Sequence, residues 1–146
     1  MKISKIRDVK TPSRANILDA GIDFFIPNDY NENTNIKPGD SCLIPSGIKA
    51  NVPEGYALIA FNKSGIATKK SLHVGACVVD SGYQGEIHIN LTNVSCKVQK
   101  IEAGDKIVQF ILIPLGDYKV ELVNENNLYE NKSIRGKSKF GSTGNK

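Results

Sequence analysis

Long helical periodicity is nearly absent from this chain, and no apolar run approaches the length needed to span a bilayer. The first absence argues against a helical bundle, the second against a membrane-spanning helix. Cysteine is scarce: Cys42, Cys77 and Cys96 are odd in number, lack CxxC spacing and have no histidine pattern beside them. That excludes a disulfide framework and a zinc knuckle, and leaves buried, reduced thiols as the expectation. Histidine is limited to His73 and His88, which form no metal set, and no Ser-His-Asp arrangement is legible. A Walker A loop is missing as well, because its spacing does not occur: Asn131, not glycine, stands five residues before Gly136-Lys137-Ser138. Met1 to Lys5 carries charge without an apolar h-region, so a soluble, cytoplasmic protein is expected.

With 146 residues, 40% of them hydrophobic and 23% charged, the chain can bury one real core without staples. The net charge of +4 is unevenly placed. Lys132, Arg135, Lys137, Lys139 and Lys146 stand against Glu130 alone, so the whole excess lies on the C-terminal arm and the rest is neutral. This pattern predicts a local anionic ligand rather than a surface that coats DNA.

Short β-rich runs, cut by Pro, Gly, Asn and Asp turns, predict an all-β sandwich or barrel. The expected strands include Ile3 to Val9, Ala20 to Ile26, the apolar run Tyr56 to Phe61, Cys96 to Ile101, Lys106 to Pro114 and Lys119 to Val123. The stretch from Asn62 to Lys70 can hold a short helical turn. Residues 1–123 therefore read as one β domain and residues 124–146 as a flexible polar arm.

The centre of the chain is Val78-Val79-Asp80-Ser81-Gly82-Tyr83-Gln84-Gly85-Glu86, followed by an alternating run to Thr92. It reads as a β-hairpin that carries a carboxylate, Asp80, and a ring, Tyr83, at its tip. Gly75 and Gly85 bracket it, where a ligand or second backbone can come close. Four other stretches stand out. Asp23 is an acid inside an apolar strand: either a turn or bulge carboxylate, or an acid orienting a hydrated Mg²⁺. Asn62-Lys63-Ser64-Gly65-Ile66-Ala67 offers a cation, a hydroxyl and backbone N–H groups to phosphate, or a simple helix cap. Gln109 is a lone amide in a hydrophobic strand, satisfied internally or facing a ligand. Arg135 to Gly144 combines cations, glycines and hydroxyls with one ring, Phe140, which suits base stacking over bound phosphates.

Taken together and in order, these stretches resemble the five motifs of the trimeric dUTPase family. Ala20-Gly21-Ile22-Asp23 is similar to motif one, Asn62 to Ala67 to motif two, and Val78 to Gly85 to motif three. Gly104-Asp105-Lys106-Ile107-Val108-Gln109 is similar to motif four, and Arg135-Gly136 with Phe140 to Gly144 to motif five. The resemblance implies a jelly-roll-like β-barrel, a homotrimer with active sites shared between subunits, and Mg²⁺-dependent hydrolysis of dUTP to dUMP and pyrophosphate. By the same resemblance Asp80 is the general base on a water attacking the α-phosphorus. Asp23 holds the water shell of Mg²⁺, and Tyr83 rejects a ribose 2′-hydroxyl. Backbone groups of Gly75, Ala76, Cys77, Val78 and Val79, with His88 nearby, read uracil. Lys63, Ser64, Gly65 and Gln109 contact phosphates. Arg135 clamps the γ-phosphate, Phe140 covers the uracil, and Gly141, Ser142 and Thr143 close on the phosphate chain.

This sequence departs from the family pattern at Lys63, where Arg is usual and a bidentate fork is lost. Ser138 and Lys139 stand where glycines are usual, and Cys77 where Gly is frequent. A dCTP deaminase shares the implied fold, and a regulatory protein built on the same scaffold is a rival of another class. The Phe-Gly-Ser-Thr-Gly arm and the Asp-Ser-Gly-Tyr turn favour dUTP hydrolysis over deamination, and Asp80, Asp23 and the whole arm leave regulation a secondary role at most.

Overall fold

Runs of β-branched and aromatic residues ended by Pro and Gly turns do form strands, several of them shorter than the sequence pattern predicts. The structure is a computed structural model and describes residues 1–32, 34–117, 119–131 and 133. In chain order the strands are β1 (Lys2–Lys5), β2 (Ile22–Phe25), β3 (Asn35–Ile36), β4 (Ser41–Pro45), β5 (Ile48–Asn51) and β6 (Tyr56–Asn62). After the helix α1 (Ser64–Lys70) come β7 (Leu72–Val74), β8 (Val78–Asp80), β9 (His88–Asn93), β10 (Gln99–Lys100) and β11 (Lys106–Pro114). The fold is all-β, as expected. The chain divides into two units, Met1–Gly116 and Asp117–Lys146. In the second, a short 3-10 helix spans Glu125–Asn127. Among the described residues no helix is long and apolar enough to cross a membrane.

Two larger sheets hold the first unit together, one in the order β2-β11-β6-β8 and the other β4-β9-β7. Two small pairs, β1-β5 and β10-β3, complete it. Period-two burial explains which faces meet. Ile87, Ile89 and Leu91 are buried while His88 between them is exposed, and Phe24, Leu58, Val108 and Phe110 are buried from the other sheet. All of these belong to one hydrophobic cluster, in which the Phe24 and Phe110 rings lie 4.4 Å apart at 46°. Two tight turns depend on glycine: Gly39 and Gly104 have φ of +81° and +80°. Each sits one residue before a backbone bond that closes its turn, Asp40 N–H to Lys37 and Asp105 N–H to Glu102.

Four expectations need correction. The stretch around Asp80 is not a hairpin, because β8 pairs with β6 in one sheet while β9 pairs with β4 and β7 in the other. The loop from Ser81 to Ile87 carries the chain between sheets. Lys119–Val123 has no regular structure. Val120 and Leu122 are 91% and 99% exposed there, so no apolar surface holds the segment extended. The strand expected over Cys96 to Ile101 shrinks to Gln99–Lys100, since Ser95 and Asn93 turn the preceding chain. Of the cysteines, only Cys42 is buried, Cys77 being half-buried and Cys96 exposed; all three are free thiols.

Asn93 shows how a polar side chain survives at zero exposure. Its Nδ2 donates to the carbonyls of Ile36 (2.8 Å) and Lys97 (2.7 Å), and its Oδ1 accepts from the N–H (2.9 Å) and hydroxyl (2.7 Å) of Ser95. With every donor and acceptor used, the amide ties β9 to β3 and to the 95–97 turn. Asn93→Leu strands those partners, so it is expected to destabilise the protein by about 2–4 kcal/mol. Urea titration of both proteins checks this; an unchanged midpoint would show that the network contributes nothing.

Candidate active site

β8 is an edge strand, and its register decides what its backbone offers. Ala60 N–H donates to the Cys77 carbonyl at 2.7 Å, and Leu58 lies opposite Val79. In an antiparallel ladder bonded pairs alternate. The N–H and C=O of Val79 therefore point at β6, while those of Val78 and Asp80 point out of the open edge. That edge faces a cavity of about 180 Å³, lined by Ala76 to Asp80 with Tyr83 and His88, and floored by Ile87 and Phe110. It combines an apolar floor, outward-facing peptide groups at one edge and one carboxylate at the rim.

The rim is built by the turn after β8. Tyr83 N–H donates to the Asp80 carbonyl (3.1 Å) and folds the ring back over the loop. The Tyr83 hydroxyl then donates to the Glu86 carbonyl (2.8 Å). A side chain at Gly85 would fall inside the Tyr83 ring, so this glycine is what lets the ring lie against the backbone. His88 Nδ1 lies 3.0 Å from the same Glu86 carbonyl. A carbonyl only accepts, so this nitrogen carries the proton and Nε2 is the free ring nitrogen in neutral imidazole. The Glu86 side chain in turn accepts from Gly47 N–H (2.8 Å) and Arg7 Nε (3.1 Å), fixing the end of the loop.

Gly75 was expected to admit a ligand or a second backbone. The space above its Cα is instead filled by the side-chain oxygen of Asn90. That oxygen accepts Ala76 N–H at 3.2 Å, and Asn90 Nδ2 donates to the Cys42 carbonyl at 3.1 Å. Asn90, which no sequence pattern marks beyond its place on the polar face of β9, thus pins the cavity wall to the second sheet.

The second cluster lies at the far end of β6. Asp23, 5% exposed on β2, is held by Lys63 Nζ on Oδ1 (2.8 Å) and Lys106 Nζ on Oδ2 (3.0 Å). Burial pushes this carboxyl up, but the hydrogen bonds and charges of the two lysines outweigh it and hold it below the ordinary value of 3.8. Gln109 stands opposite Asp23 in the ladder, and its Nε2 donates to the Asn62 carbonyl (3.0 Å), bracing the residue before Lys63. Gly21 leaves room for the Gln109 side chain. Ser64 and Gly65 open α1, whose first turn has no acid to cancel the positive end of the helix. Lys106 was not among the expected site residues, although it lies inside the motif that contains Gln109.

Asp80 pairs with Ala57, at one end of β6, and Lys63 follows its other end. At about 3.3 Å per residue, roughly 20 Å of strand separates them. The described residues thus form two half-sites on one chain, not one site. Arg135, Phe140, Gly141, Ser142 and Thr143 lie outside the described residues. Among the described residues no three His, Cys, Asp or Glu side chains group to hold a metal. A lone carboxylate already shared by two ammoniums does not make a resident cage. It does fit a Mg²⁺ that arrives on phosphates and keeps its own water.

An all-β domain with an edge-strand pocket and a separate cationic cluster has the layout of a nucleotide site divided between its parts. The dUTPase family model matches residues 7–144. The chain is 35% identical to the deoxyuridine 5′-triphosphate nucleotidohydrolase of Hydrogenobaculum sp., covering 99% of this chain and 97% of the relative. It is 38% identical to that of Clostridium acetobutylicum, covering 99% and 96%. The dUTPase of Staphylococcus bacteriophage 80alpha, solved with dUPNHPP, superposes with a TM-score of 0.84 at 24% identity, covering 98% and 97%. A dUTPase of the S. aureus phage phi11, at TM-score 0.77 and 21% identity, coordinates a structural Mg(II) ion. This chain belongs to the dUTPase family.

Asp23 provides a test of the cationic cluster. A carboxyl depressed in the folded state stabilises it above the unfolded pKa, and that contribution is lost as pH falls through the folded value. Asp23→Asn should therefore lower Tm by a constant amount from pH 7 to about 5, with the gap closing below 3.8. Thermal melts of both proteins across that range check it; a gap that widens in acid would contradict the assignment.

Proposed function

We propose that this protein is a dUTP diphosphatase that hydrolyses dUTP to dUMP and pyrophosphate. It would limit uracil incorporation into DNA and supply dUMP for thymidylate synthesis. The observation that carries this reading is the cavity in which Asp80 and Tyr83 share a rim over an open strand edge, in a chain of the dUTPase family. The relatives carry the name of that activity, and the 80alpha enzyme binds the analogue dUPNHPP.

In this mechanism uracil enters the cavity over Ile87 and Phe110. The outward N–H and C=O of Val78, within the wall from Gly75 to Val79, and the outward N–H of Asp80 beside it read its edge near His88, leaving little room for a thymine methyl. The Tyr83 ring packs on the deoxyribose, where a 2′-hydroxyl would collide with it. Asp80 takes a proton from the water that attacks the α-phosphorus. An exposed carboxylate is a competent base here, because positioned proton transfer contributes about 10²–10⁴-fold. Lys63, Ser64, Gly65 and Gln109 hold phosphate oxygens, and the arm supplies Arg135 to the γ-phosphate, Phe140 over the base, and Gly141, Ser142 and Thr143 along the phosphate chain. Asp23 would hold the water shell of a Mg²⁺ bound with the nucleotide, and that ion would neutralise phosphate charge.

The enzyme acts as a homotrimer with shared sites. A general base must reach its proton directly or through one water, and roughly 20 Å of strand lies between Asp80 and the lysine that holds the phosphates of one chain. Partner subunits close that gap. The exposed, alternating Val120 and Leu122 offer a segment able to pair with another chain. Free thiols at Cys42, Cys77 and Cys96 suit the cytoplasm.

Pyrophosphate release from dUTP, dTTP, UTP and dCTP, with and without Mg²⁺, tests this reading; ammonia release from dCTP would overturn it in favour of a deaminase. Asp80→Asn is expected to lower dUTP turnover by about 10²–10⁴-fold while dUPNHPP still binds. Near-normal turnover would remove Asp80 as the base. Gly85→Ala, which drives out the Tyr83 ring, should reduce the preference for dUTP over UTP more than it reduces binding of deoxyuridine. An unchanged dUTP-to-UTP ratio of kcat/KM would show that Tyr83 is not the sugar sieve.

A further inference from the structure

Lys106 should not be able to reach Asp23. In a regular ladder continued from the pairs Gln109–Asp23 and Val108–Phe24, Lys106 would fall opposite Ile26. It would then share a face with Phe24, Val108 and Phe110, all buried in the core. The register shifts between Lys106 and Val108, however, and Lys106 stands opposite Phe25. Asp23 and Phe25 are two residues apart on one strand and so share a face. The irregularity therefore turns one lysine from the core face to the carboxylate face, which is what a bulge beside a functional site does.

The result is one buried carboxylate divided between two ammoniums. Lys63 takes Oδ1 at 2.8 Å and Lys106 takes Oδ2 at 3.0 Å, with the lysines 26% and 39% exposed and Asp23 nearly enclosed. The cluster of three carries one net positive charge. Were Lys106 absent, Asp23 would cancel Lys63 outright, and both carboxylate oxygens would be open to the one ammonium.

We propose that Lys106 is a positioning residue for nucleotide binding: by occupying one oxygen of Asp23 it keeps the charge of Lys63 available to the phosphates. The role rests on the reading of Lys63 as a phosphate contact. It also accounts for the use of Lys at position 63. A point charge with rotatable donors can keep one hydrogen bond to Asp23 and present the others to a ligand, whereas a rigid fork tends to spend itself on the carboxylate.

Calorimetric titration of the full-length protein with dUPNHPP and with deoxyuridine tests the proposal, using Lys106→Met, Lys63→Met, the double variant and Lys106→Arg. Lys106→Met should weaken dUPNHPP by roughly tenfold in the presence of Lys63 and less than about twofold in the Lys63→Met background, the coupling expected of residues acting through a shared partner. Deoxyuridine, which has no phosphate, should bind Lys106→Met as it binds the parent protein, and Lys106→Arg should restore affinity for dUPNHPP. Equal losses in both backgrounds, or a parallel loss of deoxyuridine, would overturn the proposal and leave Lys106 a fold residue. An undiminished affinity in Lys63→Met would instead overturn the phosphate role of Lys63, and the inference with it. Should Lys106→Met fail to fold, Lys106→Gln carries the same comparison. Failure of the parent protein to release pyrophosphate from dUTP would count against the proposed activity separately, since binding of dUPNHPP is measured without turnover.

Discussion

The pairing of β6 with both of its neighbours is the constraint on which the described site depends. On one side β8 is bonded to β6 in a register that turns Val79 inward and leaves Val78 and Asp80 facing outward. On the other, β11 is bonded along the length of β6 and brings Gln109 next to Phe61 and opposite Asp23. A slip of one residue in either ladder would exchange every inward and outward group. The strand also separates the two clusters, because Asp80 stands at the Ala57 end and Lys63 at the Asn62 end. An extended strand cannot fold back on itself, so the distance is built in.

Around that ladder, close contact is achieved by leaving side chains out. Gly85 makes space for Tyr83, Gly75 for the Asn90 amide and Gly21 for Gln109. In each case the space a glycine leaves is filled by a polar or aromatic side chain. Hydrogen bonds then hold that side chain in place: Tyr83 to Glu86, Asn90 to Ala76 and Cys42, Gln109 to Asn62. The positions of the ring, the cavity wall and the residue before Lys63 are therefore over-determined before any ligand arrives. This is the preorganisation that differential binding of a transition state requires.

The charged cluster follows another logic. An acid at 5% exposure needs compensation, and two lysines provide more than one carboxylate consumes. The surplus is what a polyanion can use. Nothing in the spacing of Asp23, Lys63 and Lys106 along the chain announces this, since they come from two strands and the end of a third.

Much was legible beforehand for physical reasons that are local. Alternation at Ile87, Ile89 and Leu91 marked a half-buried strand, Pro and Gly turns marked the breaks, and the apolar setting of Asp23 marked it as out of place. The order of the five motifs pointed to the family that the comparisons bear out. What local pattern could not supply was partnership. Asp80 and His88 read as the two arms of a hairpin because they are close in sequence, yet their strands lie in different sheets. No pattern marks Lys106 for the face of Asp23, which a register shift gives it, and Gly75 reads as an opening until Asn90 fills it. The sequence by itself determined the residue types, their faces along each strand and the chemistry they are fit for. Only the tertiary structure decided which strand stands beside which, because backbone hydrogen bonds pair strands by register and shared burial rather than by nearness along the chain.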